Sequence, residues 1–130
     1  MSRKANSPGA LSRNLTRRIT KESTRPSQLR DAAFRRAILS IPKGKVATYG
    51  QVAAAAGYPL YHRAVARLLR TVPPGVLPWQ RVVGAGGEIK LRFGAASEQR
   101  LRLELEGVTF RGNRVNLVGH QHIFRMWELA

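Results

Sequence analysis

Apolar positions along this chain recur at helical spacing in three separate stretches, and each stretch is bounded by residues that start or stop helices. Ser27 is placed to cap a first helix running to about Leu39, with Phe34, Ala37, Ile38 and Ile41 on one face. "IPKGK" breaks it, since Pro42 and Gly44 favour a turn, and Val46 to Thr48 is extended. Thr48 and Gln51 stand three apart, the spacing of a capping box, so a second helix starts near Tyr49, runs through "GQVAAAAG" and ends at Gly57. Pro59 fits the first turn of a third helix, Leu60 to Arg70, in which Tyr61, Ala64, Val65 and Leu68 form a buried stripe.

Beyond the "TVPPGVLP" loop, Arg81–Val83, the "GAGG" turn and Glu88–Leu91 read as a β-hairpin. The glycines are not a phosphate cradle on this reading, because a strand rather than a helix follows them. A last helix starts near Ser97, turns Leu101 and Leu105 inward and ends at Gly107. A short extended stretch follows around Val115–Val118, and the aromatic end "FRMWEL" is expected to pack on the body. The pattern predicts a mainly α fold with a small β-hairpin. Its parts are a flexible basic arm at 1–27, a domain at 28–110 and a C-terminal extension at 111–130 packed on that domain.

Charge changes the picture most. The 130 residues hold 23 Lys and Arg against 7 Asp and Glu, a formal net charge of +16, and such a surface draws polyanions and releases their counterions. On the third helix Arg63, Arg67 and Arg70 fall at i, i+4 and i+7, so three guanidinium groups share the exposed side. Two short helices joined by a glycine turn, the second faced with arginine, form the pattern of a DNA-binding helix-turn-helix. The first 27 residues add seven basic residues and one acid.

Inventory excludes some chemistry outright. Cysteine is absent, which removes disulfides, thiolate metal sites and thiol nucleophiles. His120 and His122 have neither cysteine nor an acidic cluster beside them, so neither a metal nor any other cofactor is assigned. No apolar run reaches the roughly 18 residues that span a bilayer, and no secretory signal opens the chain. A cytoplasmic protein without membrane contact, nucleoid-associated when bound to DNA, is expected.

Taken together, "IPKGKVATYGQVA", "YHRAV" and "PWQRVV" resemble the DNA-binding domain of the O6-alkylguanine-DNA alkyltransferases over about residues 30–110, with the motifs in family order. That domain is a winged helix-turn-helix whose reactive signature is Pro-Cys-His-Arg-Val. Here it reads Pro78-Trp79-Gln80-Arg81-Val82. Tryptophan in the cysteine position is similar to the alkyltransferase-like proteins, non-enzymatic relatives that bind alkylated guanine and pass the lesion to nucleotide excision repair.

The resemblance implies roles residue by residue. Tyr49 presses on the phosphate 3′ to the lesion and helps to rotate the nucleotide outward. Arg63 enters the minor groove and fills the vacated place in the stack, with Arg67 and Arg70 as further DNA contacts. The carbonyls of Trp79 and Val82 accept from the guanine amino group, and Arg92 stands near the modified base. Gln80 replaces the histidine base with an amide that does not titrate, and Glu106 corresponds to the carboxylate that orients that histidine.

The expected partners are double-stranded DNA containing O6-alkylguanine and excision-repair proteins, and a monomer suits a reader of single lesions. Two rivals predict different behaviour. A helix-turn-helix transcription regulator would prefer a sequence and ignore one alkyl group, and an alkyltransferase with an unusual acceptor would gain the mass of the alkyl group.

Overall fold

A computed structural model describes Arg25–Arg125. Residues 1–24 of the expected basic arm and "MWELA" at the C-terminus lie outside the described residues. The chain divides into two compact units after Ala32, and the packing described here is that of the second, Ala33 onward. The order is α1 (Pro26–Leu39), β1 (Ala47–Thr48), α2 (Tyr49–Ala55), α3 (His62–Thr71), β2 (Val82–Val83), α4 (Phe93–Leu105), β3 (Phe110–Arg111), β4 (Arg114–Val115) and α5 (Leu117–His120). The fold is mainly helical with small sheets and contains a helix-turn-helix.

Local chemistry explains the boundaries. Helix α1 starts at Pro26, where a missing N–H costs nothing, so Ser27 lies inside the first turn and is not the cap. At α2 the capping box forms in full: Gln51 N–H donates to Thr48 Oγ1 at 3.1 Å and Thr48 N–H to Gln51 Oε1 at 2.9 Å. The helix ends in a Schellman motif, with Gly57 at φ 95°, Tyr58 N–H bonded to Ala53 O and Gly57 N–H to Ala54 O. The turn to α3 takes up Tyr58–Tyr61, so Pro59 and Leu60 precede α3 instead of opening it. Tyr61 is correspondingly 46% exposed and stands edge-on to Tyr58 at 5.8 Å; Ala64, Val65 and Leu68 form the buried stripe as expected.

The expected hairpin around "GAGG" is not formed. Val82–Val83 pairs in parallel with Ala47–Thr48, in the register Ala47↔Val82 and Thr48↔Val83. The glycines instead make a tight turn, Ala85–Gly87, closed by Gly84 N–H to Glu88 O at 2.7 Å, and Glu88 bridges to Arg114. The antiparallel hairpin lies later, β3 with β4. After Val115 the chain turns helical, so Leu117 and Val118 belong to α5 and not to an extended stretch.

Because alternate strand residues face opposite ways, the β1–β2 pair separates two cores. Ala47 and Val82 join Phe34, Ile38, Val52, Val65 and Leu68, whereas Val46 and Val83 join Leu103, Val108 and Val115. Phe124 packs against the first of these.

Helix α4 also departs from expectation. It starts at Phe93, four residues before Ser97, and Leu101 and Leu105 are 56% and 75% exposed. Its buried side is set by Gln99 and Leu103, four apart, with Gln99 only 1% exposed. Two residues of displacement along a helix turn a side chain about 200° away, so Leu101 and Leu105 necessarily face out once Gln99 and Leu103 face in.

Candidate nucleic-acid interface

The Pro78-Trp79 step is a sequence of tight turns. Pro78 has φ −76° and ψ 67°, the inverse γ-turn, and it brings Trp79 N–H to Leu77 O at 2.8 Å. Proline's restricted φ suits that geometry. One 3₁₀ turn over Trp79–Arg81 follows, with Arg81 N–H on Pro78 O and Val82 N–H on Trp79 O. The indole is thereby held half-buried beside the start of β2 rather than in the core.

Glu106 fixes this turn from behind. Its carboxylate accepts from Gln80 Nε2 at 2.9 Å, from Arg81 Nη2 and Nε at 3.0 and 3.1 Å, and from the Gly44 N–H at 3.2 Å. Arg81 Nη1 also donates to the Ile41 carbonyl at 3.0 Å. Gly44 has φ 85°, and a Cβ there would stand 3.3 Å from the Glu106 carbonyl oxygen, so the turn requires glycine. Burial pushes the Glu106 carboxyl up, but the hydrogen bonds from Arg81, Gln80 and Gly44, with the Arg81 charge, bring it below its ordinary value. The carboxylate thus has a structural part, holding a glutamine where a titrating imidazole was the alternative.

Beside Trp79 lies a cavity of about 80 Å³ walled by Tyr49, Ala66, Leu69, Arg70 and Leu91, with Gln99 as its polar wall. Tyr49 reaches it as the first residue of α2, and Arg70 from the last turn of α3. Burial raises the Tyr49 pKa, and the Arg70 charge offsets part of that rise, so the phenol keeps its proton throughout the neutral range. A wider cleft of about 220 Å³, lined by Leu69, Val72, Pro73, Pro74 and Leu77, opens against Trp79 as well, with Glu98 and Arg102 at its edge. Arg102 sits 5.6 Å from the indole centroid and is paired with Glu98 at 2.8 Å.

Of the residues singled out from sequence, Tyr49, Trp79 and Arg70 therefore share one cavity. Arg63 and Arg67 are exposed on α3 and do not line it. The Val82 side chain is buried in the first core, while its carbonyl accepts from Gln99 Nε2 at 2.9 Å. Arg92 is exposed at the N-cap of α4, one residue beyond the lining Leu91. Next to it, Phe93 is 88% exposed and has φ 53°, a left-handed conformation that no other non-glycine adopts among the described residues.

Gln99, Ala66, Leu69 and Leu91 were missed in the sequence. Only Gln99 carried a signal, a polar side chain in phase with the buried Leu103. His120 is engaged elsewhere: Nε2 accepts the Thr109 N–H at 3.2 Å, which leaves Nδ1 to donate to Gly44 O at 3.1 Å. No group of three or more metal-ligating side chains occurs among the described residues, and no helix among them is long and apolar enough to cross a membrane.

Similarity to known proteins runs through this part of the chain. The family model described as 6-O-methylguanine DNA methyltransferase, DNA binding domain, matches residues 31–108. The chain is 47% identical over 72 residues to a DNA base-flipping protein of Vibrio parahaemolyticus, covering 55% of this chain and 72% of that protein. It is 44% identical over 75 residues to alkyltransferase-like protein 1 of Schizosaccharomyces pombe, covering 55% and 69%. Among solved structures, S. pombe Atl1 in complex with damaged DNA containing O6-carboxymethylguanine superposes with a TM-score of 0.66 at 30% identity, over 77% of this chain and 99% of that one. OGT of Mycobacterium tuberculosis in complex with DNA superposes with a TM-score of 0.54 at 34% identity, over 58% of this chain and 48% of that one.

Proposed function

Because the chain belongs to the family of the 6-O-methylguanine DNA methyltransferase DNA-binding domain, we propose that it reads O6-alkylguanine in duplex DNA without repairing it. The observation that carries this reading is the occupancy of the reactive position: in a chain without cysteine, Trp79 walls the cavity and Gln80 is tied to Glu106. An indole is a poor nucleophile beside a thiolate, and an amide cannot act as the base that would activate one.

On this reading the protein approaches the minor groove. Arg63 fills the place left by the extruded nucleotide, offsetting an extrusion cost of about a few kcal/mol. Tyr49 presses on the phosphate 3′ to the lesion, and its protonated phenol adds no negative charge there. Arg67 and Arg70 contribute phosphate attraction spread over the helix face. The alkylated base enters beside Trp79, where the Trp79 and Val82 carbonyls accept from its amino group. Each of these carbonyls already accepts one bond and keeps a second lone pair. Arg92 stands over the modified edge. The bound lesion is then passed to nucleotide excision repair, consistent with a monomer that marks one base at a time.

The names of its relatives, a base-flipping protein and an alkyltransferase-like protein, support flipping without transfer. Binding to matched duplexes with guanine or O6-methylguanine at one position tests the reading. Tighter binding of the alkylated duplex, with the intact protein mass unchanged, is expected. Equal binding with a preferred sequence would point to a transcription regulator, and a gain of one methyl mass to an alkyltransferase.

A further inference from the structure

Gln99 is buried to 1% exposure on α4, yet only half of its amide is used. Nε2 donates to the Gln80 carbonyl at 3.1 Å and to the Val82 carbonyl at 2.9 Å. Those two acceptors settle the orientation of the amide, since the flipped arrangement would set its oxygen against two carbonyl oxygens. Oε1 is left without a hydrogen-bond partner among the described residues. The same side chain forms the polar wall of the cavity between Tyr49 and Trp79. A buried acceptor kept dry destabilises a fold, so one held in place by two hydrogen bonds at a cavity wall is a group waiting for a donor.

We propose that Gln99 Oε1 accepts a hydrogen bond from the exocyclic 2-amino group of the extruded O6-alkylguanine, an assignment that rests on the lesion-reading function above. The chemistry of the base selects this donor. Alkylation at O6 removes the hydrogen from N1, and the 2-amino group is then the only N–H donor the base has. The other end of the Gln99 amide already holds the Val82 carbonyl. Gln99 therefore acts as a binding residue and also positions the Val82 carbonyl; with two N–H bonds facing three acceptors, one meets the Trp79 carbonyl and the other is shared between the Val82 carbonyl and Gln99 Oε1. It gives the cavity a means of requiring a guanine-type edge while leaving the alkyl substituent unread.

A double-mutant cycle between protein and DNA tests this. Wild type and Q99M are titrated with duplexes carrying O6-methylguanine or O6-methylhypoxanthine, which keeps the ring and the alkyl group and lacks the 2-amino group. Loss of a buried hydrogen bond corresponds to about a tenfold fall in affinity. Wild type should bind the hypoxanthine lesion more weakly by at least about tenfold, and Q99M should narrow that gap by about tenfold. It should weaken the O6-methylguanine duplex while leaving the hypoxanthine duplex nearly unchanged, so that only the part supplied by the Trp79 and Val82 carbonyls remains. Equal weakening of both duplexes by Q99M, with the wild-type difference preserved, makes Gln99 merely structural and overturns the proposal.

Thermal melting of each protein accompanies the titrations. If Q99M does not fold, Q99N, which withdraws the oxygen by one methylene, takes its place with the same two outcomes. Failure of the underlying reading looks different: wild type would bind the O6-methylguanine duplex no better than unmodified DNA, and the proposal would fall with it.

Discussion

Arg63 and Arg67 stand in solvent along one side of α3, whereas Trp79 is fixed by two consecutive turns whose following residues, Gln80 and Arg81, are bound to one carboxylate. The first region offers long, free side chains to any phosphate. The second holds a half-buried ring in one place. Exposed charge of this kind supplies affinity that is shared among many contacts and weakened by salt. A preorganised cavity supplies discrimination, because its groups spend nothing on ordering when a ligand arrives. Separating them lets the affinity for DNA and the choice of base be altered independently.

The largest effect is expected from removing the anchor of the second region. E106A leaves Gln80 without its acceptor and Arg81 with only the Ile41 carbonyl, and should destabilise the protein by roughly 3 kcal/mol, since breaking a largely buried ion pair strands the remaining charge. Urea titration checks this. E106Q adds a pH test. The folded carboxyl lies below its ordinary value of 4.5, so its contribution is fully present above that value and disappears as pH falls through the lowered one. The acid limb of the wild-type stability curve should flatten in E106Q, and an unchanged limb would show that Glu106 does not anchor the turn.

Next in size, R63A should lower affinity for the O6-methylguanine duplex by about tenfold, the scale of a minor-groove wedge contact, and plain duplex by much less. Equal loss on both would place Arg63 with the general phosphate contacts. Smaller still, F93G should raise stability by about 1 kcal/mol, because glycine adopts φ 53° without strain. A lower melting temperature would mean that the exposed ring holds α4 in place.

The smallest change is expected from R67A. Its loss should fall equally on modified and plain duplex and reduce the slope of log affinity against log salt by about 0.9, one phosphate's worth. A selective loss on the lesion would erase the distinction between the two regions.

Sequence made the first region legible and the second only in part. The arginine face follows from helical spacing alone, and the Thr48–Gln51 box and Gly57 stop are local devices, written within a few residues of where they act. The pairing of Val82–Val83 with Ala47–Thr48 carries no such mark. A parallel pair spanning two helices has no turn residue between its strands, so the nearby glycines suggested a hairpin that does not form. Leu101 and Leu105 likewise drew attention as apolar residues at helical spacing, although the buried phase belongs to Gln99 and Leu103. Trp79 was conspicuous by replacing a reactive residue. The donors gathered on Glu106 come from segments 25 to 62 residues away, a distance over which spacing says nothing.

That short parallel pair has one more effect. Thr48 leads directly into the helix that begins with Tyr49, and Val82 follows directly on the turn that holds the indole. Two residues on each side thus act as a calliper, setting how far apart the phenol and the indole stand. A nucleotide of any flanking sequence would meet the same gauge, its jaws fixed by main chain and indifferent to the side chains around them.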